Sequence, residues 1–143
     1  MTHQRGFSLI EALIALLVLS IGLIGVAAMQ LKALQSANAG YQRSVASVAA
    51  VDAQERLWAQ MATLGSDETC EDIDLAPVQK AWREHWFLKS DATPLRNTIE
   101  AQSGIEPVNG DNKCQFTVTL VLSEDNNDQL DYLIRLPSLE FQP

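Results

Sequence analysis

Histidine is scarce in this chain: His3 and His85 are the only two in 143 residues. No glycine-rich phosphate loop, no metal-ligand cluster and no nucleophile elbow occurs. The sequence gives no support to an enzyme and asks for no cofactor. Basic residues are also few. Ten Lys and Arg stand against 18 Asp and Glu, for a formal charge of −8, and this argues against nucleic-acid binding as a main role. All of the acidity except Glu11 begins at Asp52. Cysteine occurs twice, at Cys70 and Cys114. Proline is missing from Leu31 to Met61, so nothing there breaks a helix.

The most informative absence is that of charge between Ala12 and Leu31. A bilayer core of ~30 Å is spanned by ~20 apolar residues in a helix, and this run has that length. At its head stands Glu11. A carboxylate in a membrane helix costs ~2.5–3.5 kcal/mol at the centre and less near the edge, so Glu11 calls for a partner. One reading is a secretory signal peptide with Val26-Ala27-Ala28 as the cleavage site. Against it, the basic n-region is only Arg5, the apolar core is too long, and a charge opens that core. A second reading is a plain signal anchor, with Glu11 near the headgroups, holding a periplasmic binding domain.

A third reading comes from resemblance. Gly6-Phe7-Ser8-Leu9-Ile10-Glu11 resembles the prepilin processing site of type IV pilins: a short polar leader, Gly, an aromatic first residue and Glu at the fifth mature position. The resemblance implies cleavage between Gly6 and Phe7 by a prepilin peptidase, followed by N-methylation of Phe7. It divides the chain into a leader over 1–6, a membrane and polymerisation segment over 7–31, and a periplasmic head over 32–143. In a filament, Glu11 of one subunit then pairs with the Phe7 ammonium of a neighbour. Removing one member of such a buried pair typically costs ~3–5 kcal/mol, so the pair sets the register of stacked helices. Orientation rests on this resemblance, because Arg5 and Lys32 flank the span evenly.

The run from Gly22 to Gln35 and the later Asp52-Ala53-Gln54-Glu55-Arg56-Leu57 are similar to the PilV family of minor pilins. That family implies a place in the complex that initiates and caps a type IV pilus, with roles in surface display and adhesion. The implied partners are other minor pilins, the major pilin, inner-membrane assembly machinery and a pilus-tip adhesin. The I-type minor pseudopilin of type II secretion shares the same N-terminal pattern and stays open as an alternative. Gly22 and Gly25 interrupt the membrane half. They read either as close-packing positions or as a segment able to unwind within a filament.

Beyond Leu31 the helical pattern continues. Leu34, Ala37, Tyr41, Val45, Val48, Val51, Trp58 and Met61 recur mostly three, four or seven apart, which predicts one stripe laid on a globular head. An unbroken helix from Phe7 to Met61 would be about 80 Å long. Leu64-Gly65-Ser66 ends it. The acidic residues around Cys70 fit no metal-binding loop and read as a solvated linker. A second helix is predicted over 76–89, with Pro77 in its first turn and Val78, Trp82 and Trp86 facing the core or the spine. Residues 90–112 read mainly as loop.

Alternation at period two then predicts strands around Cys114–Leu122 and Leu130–Leu136, joined by a polar hairpin loop. Asp125-Asn126-Asn127-Asp128 within it lacks the glycine of a calcium loop and reads as a turn. Leu139 and Phe141 suggest a short edge strand. The expected fold is α+β of the type IV pilin-like kind: a long spine helix packed on a small antiparallel sheet. Two cysteines in an exported domain read as a disulfide, with two free buried thiols as the other reading. A Cys70–Cys114 bond would be worth roughly 4 kcal/mol in the chain-entropy model, useful to a head with a limited core.

Overall fold

The computed structural model describes residues 8–87, 94–95, 98–108, 114–123 and 128–138. The elements are helix α1 (Leu9–Met61), a 3-10 turn (Cys70–Asp72), helix α2 (Leu75–Phe87), a second 3-10 turn (Glu100–Gln102), and strands β1 (Gly104–Pro107), β2 (Gln115–Val121) and β3 (Gln129–Arg135). This is a long N-terminal helix, apolar over its first half, followed by a three-stranded antiparallel sheet, a type IV pilin-like α+β fold. By compactness the chain divides into Met1–Gly40 and Tyr41–Pro143.

In the first unit, every described residue is exposed. The helix starts on Ser8, whose carbonyl accepts from the amides of Glu11 and Ala12. Leucine and alanine, both good helix formers, carry it onward past Gly22 and Gly25, with no proline to break it. An 18-residue window within α1 has a mean hydropathy of 2.7 and no buried share. It is long and apolar enough to cross a membrane.

In the second unit, β2 lies at the centre of the sheet in the order β1-β2-β3. The register sets Val118 opposite both Ile105 and Tyr132, Phe116 opposite Ile134, and Leu120 opposite Leu130. These residues share one face, because directly opposed side chains of antiparallel strands lie on the same side. The core joins them to Trp82 of α2 and to Leu57 and four alanines of α1. Burial of each large side chain contributes about 1.5–3 kcal/mol.

Three expectations need correction. Strand β1 lies within the stretch expected to be loop. It is only four residues long, ends in proline and carries glycine at its start, so it shows no alternation. Helix α2 begins at Leu75, one residue before the expected start, and runs to Phe87; the last two residues of the expected helix, Leu88 and Lys89, lie outside the described residues. The stripe expected to pack on the head is largely turned away from it. Tyr41, Val48, Val51 and Trp58 are 60%, 59%, 46% and 41% exposed, while Gln42, Ala46, Ala49, Ala50, Ala53 and Leu57 are buried. Bulk explains the reversal. The indole of Trp82 donates to the carbonyl of Ala49 at 2.8 Å, an approach to the helix backbone that small side chains permit. The expected edge strand at Leu139 and Phe141, and residues 125–127 of the hairpin turn, lie outside the described residues.

Candidate functional site

Each residue expected to matter for assembly or stability has a distinct setting. Gly6 and Phe7 lie outside the described residues. Glu11 sits in the first turn of α1, where a negative charge is favoured by the helix dipole. It is exposed, and its carboxylate has no partner among the described residues. Such a group is free to meet a cation supplied from outside the chain. Gly22 and Gly25 stand in open space, with nothing within 4 Å of where a β-carbon would lie. Neither is forced on this chain by internal packing.

Cys70 and Cys114 are buried and joined as a disulfide, with α-carbons 5.3 Å apart at a sequence separation of 44. The bond ties the 3-10 turn after α1 to the residue just before β2. Cys114 adopts φ +63°, a left-handed conformation uncommon outside glycine. The acidic residues nearby act as local caps. Asp72 accepts from the amide and hydroxyl of Thr69, Glu68 from the amide of Gly65 and Asp74 from the amide of Ala76. Their carboxylates thereby stabilise turns that have little other support. Among the described residues, no group of three or more His, Cys, Asp or Glu is arranged to hold a metal ion.

The second helix is fastened to α1 by indole hydrogen bonds. Besides Trp82 to Ala49, Trp86 Nε1 donates to Asp52 Oδ2 at 2.8 Å, and Arg56 Nε donates to the same oxygen at 2.7 Å. Tyr132 of β3 reaches Gln54 Oε1 at 2.8 Å. Asp128, at the end of the hairpin loop, accepts from Arg43 Nε at 2.9 Å. With this face of α1 occupied, Tyr41, Val48, Val51 and Trp58 form an apolar strip on the other, at intervals of seven, three and seven. Sequence reading found the strip but assigned it inward.

Residues 1–27 match the family model described as "Prokaryotic N-terminal methylation motif". Among curated proteins and solved structures, none matches the chain significantly.

Proposed function

We propose that this chain is a minor pilin similar to the PilV family, which helps to initiate and cap a type IV pilus. The premise is the N-terminal methylation motif, which supports a type IV pilin or pseudopilin, anchored in the membrane before assembly and structural rather than enzymatic in role. The motif implies processing by a prepilin peptidase and assembly with pilus components.

In this reading the leader over 1–6 is cut after Gly6, and Phe7 carries a methylated ammonium. Residues 7–31 hold the precursor in the inner membrane, and the head over 32–143 lies in the periplasm. The exposed carboxylate of Glu11 then meets the Phe7 ammonium of a neighbouring subunit. The two charges cancel in a dry helix bundle, where either one alone would be strongly unfavourable. Gly22 and Gly25, open on all sides, allow either close approach of neighbouring spines or local unwinding. The outward strip from Tyr41 to Trp58 supports the same reading, since a lone subunit gains nothing from leaving it in water. The Cys70–Cys114 bond stabilises the head outside the cell. Other minor pilins and the major pilin are the proposed neighbours, with a tip adhesin as a further one.

The experiment is intact mass and N-terminal sequencing of the membrane-extracted protein beside a Gly6→Ala variant. A mature chain that starts at N-methyl-Phe7, and is missing in the variant, supports the pilin pathway. A chain that keeps Met1 makes this a plain anchor, and a start near Met29 makes it a secreted domain. Partner genes next to this one then separate pilus from type II secretion: minor pilins with an adhesin, or secretion-system components.

A further inference from the structure

Helix α2 presents a second face that the assembly reading leaves unused. Val78, Trp82 and Trp86 point into the core. On another side, Leu75, Gln79, Arg83 and Phe87 follow at intervals of four and line a groove whose lining also includes Ile105 of β1. The groove has a volume of about 820 Å³ and is open to solvent along one side. Its apolar wall is well formed: Phe87 and Ile105 are buried and Leu75 half-buried. A smaller cleft of about 240 Å³ shares Gln79 and Arg83 and adds Ser103 and Gly104.

Arg83 stands where the two spaces meet, and it is short of acceptors. Its Nη2 donates to the carbonyl of Ser103 at 2.7 Å. Its buried Nε has no hydrogen-bond partner. Among the described residues no carboxylate lies within ion-pair distance of it, and its neighbours Lys80 and Glu84 pair with each other at 4.0 Å. A guanidinium carries five N–H donors and no acceptor, and an orphaned buried donor of this kind is rare enough to require a reason. Gly104 contributes to the arrangement. A β-carbon there would lie 3.4 Å from both Arg83 Nη2 and Gln79 Nε2, in ordinary contact, so the two donors converge beside the backbone at this position.

We propose that this groove binds a small monocarboxylate with an apolar body. The carboxylate is held by the guanidinium of Arg83 and the amide of Gln79, in the forked geometry that arginine offers to carboxylates. The apolar part lies along Leu75, Phe87 and Ile105. The carboxylate supplies acceptors to a guanidinium whose only hydrogen bond among the described residues is the one from Nη2 to Ser103. Glu84 and Glu100 line the groove and Glu106 the smaller cleft; all three are exposed. Their charge disfavours a second negative group, hence the preference for a single carboxylate.

The test uses the ¹⁵N-labelled full-length chain in neutral detergent, titrated with 3-phenylpropanoate and in parallel with 3-phenylpropanamide. The acid is expected to shift the Nε–H resonance of Arg83, assigned by its loss in Arg83→Lys, and to bind at least about tenfold more tightly than the amide. The Arg83→Lys variant keeps the charge but loses the fork, and is expected to lose about tenfold in affinity. A second variant, Gln79→Glu, places an internal carboxylate beside the guanidinium. It is expected to abolish acid binding and to raise the thermal midpoint. Equal affinity for acid and amide, no saturable binding of the acid, or undiminished binding by Gln79→Glu would each overturn the proposal. None of these outcomes bears on the processing experiment, which reads a different part of the chain.

Discussion

Asp52 shows how much a single half-buried carboxylate can hold. One oxygen takes the indole N–H of Trp86 and the guanidinium of Arg56, so it fastens α2 to α1 and orders the helix surface beside the joint. The ion pair with Arg56 spans one turn and is partly exposed; pairs of this sort contribute a few tenths of a kcal/mol. The larger part lies with Trp86, which is buried and whose N–H would be left without an acceptor. Asp52→Ala is therefore expected to destabilise the protein by about 1–3 kcal/mol, measured by chemical denaturation. Asp52→Asn keeps an acceptor oxygen in place and is expected to recover most of that loss.

At the scale of elements, α1 has two faces beyond Gly40 with opposite requirements. The alanine face must stay small, because Trp82 comes within hydrogen-bonding distance of the Ala49 carbonyl. Ala49→Leu is expected to overpack this joint and cost about 1–3 kcal/mol, seen as a lower denaturation midpoint. Val48→Ser lies on the exposed strip and is expected to change that midpoint by less than about 0.5 kcal/mol, while reducing co-purification with other pilus subunits. A comparable loss of stability in both variants would contradict the assignment of faces.

Here the sequence was informative in an uneven way. Helical spacing announced that α1 is two-faced, yet it does not say which face turns inward. Hydropathy favoured Tyr41, Val48, Val51 and Trp58 over Ala46, Ala49, Ala50 and Ala53, whereas the approach of bulky indoles favoured the alanines. Strands β2 and β3 were legible because most of their seven residues alternate, Val121 and the outward-facing Leu133 being the exceptions, while β1 owes its existence to backbone pairing with β2 and has too few side chains to signal it. The N-terminal motif is contiguous and so can be read without any fold. The groove beside Arg83 gathers residues from α2, β1 and the turn before it. That proximity exists only after folding.

At the scale of the whole molecule, the head is small and its core draws on short elements. The disulfide closes a long covalent loop and joins two buried positions. Replacing both cysteines by serine is expected to cost about 2–5 kcal/mol, checked as a fall in thermal midpoint that reducing agent reproduces in the natural chain and leaves unchanged in the variant. The left-handed backbone of Cys114 is held from both sides, by the sulfur bridge and by the amide of Leu136, which donates to the Cys114 carbonyl at 2.9 Å.

That same bridge also decides which parts of the head feel a pull. Tension applied between α1 and strands β2 and β3 runs along the chain through Met61 to Cys70, then crosses directly to Cys114. Helix α2, strand β1 and the groove around Arg83 lie between the two cysteines in sequence, and so off that covalent path, held to it by the Trp82 and Trp86 hydrogen bonds and by the pairing of β1 with β2. A pull along that path therefore reaches β2 without passing through the backbone of α2 or β1.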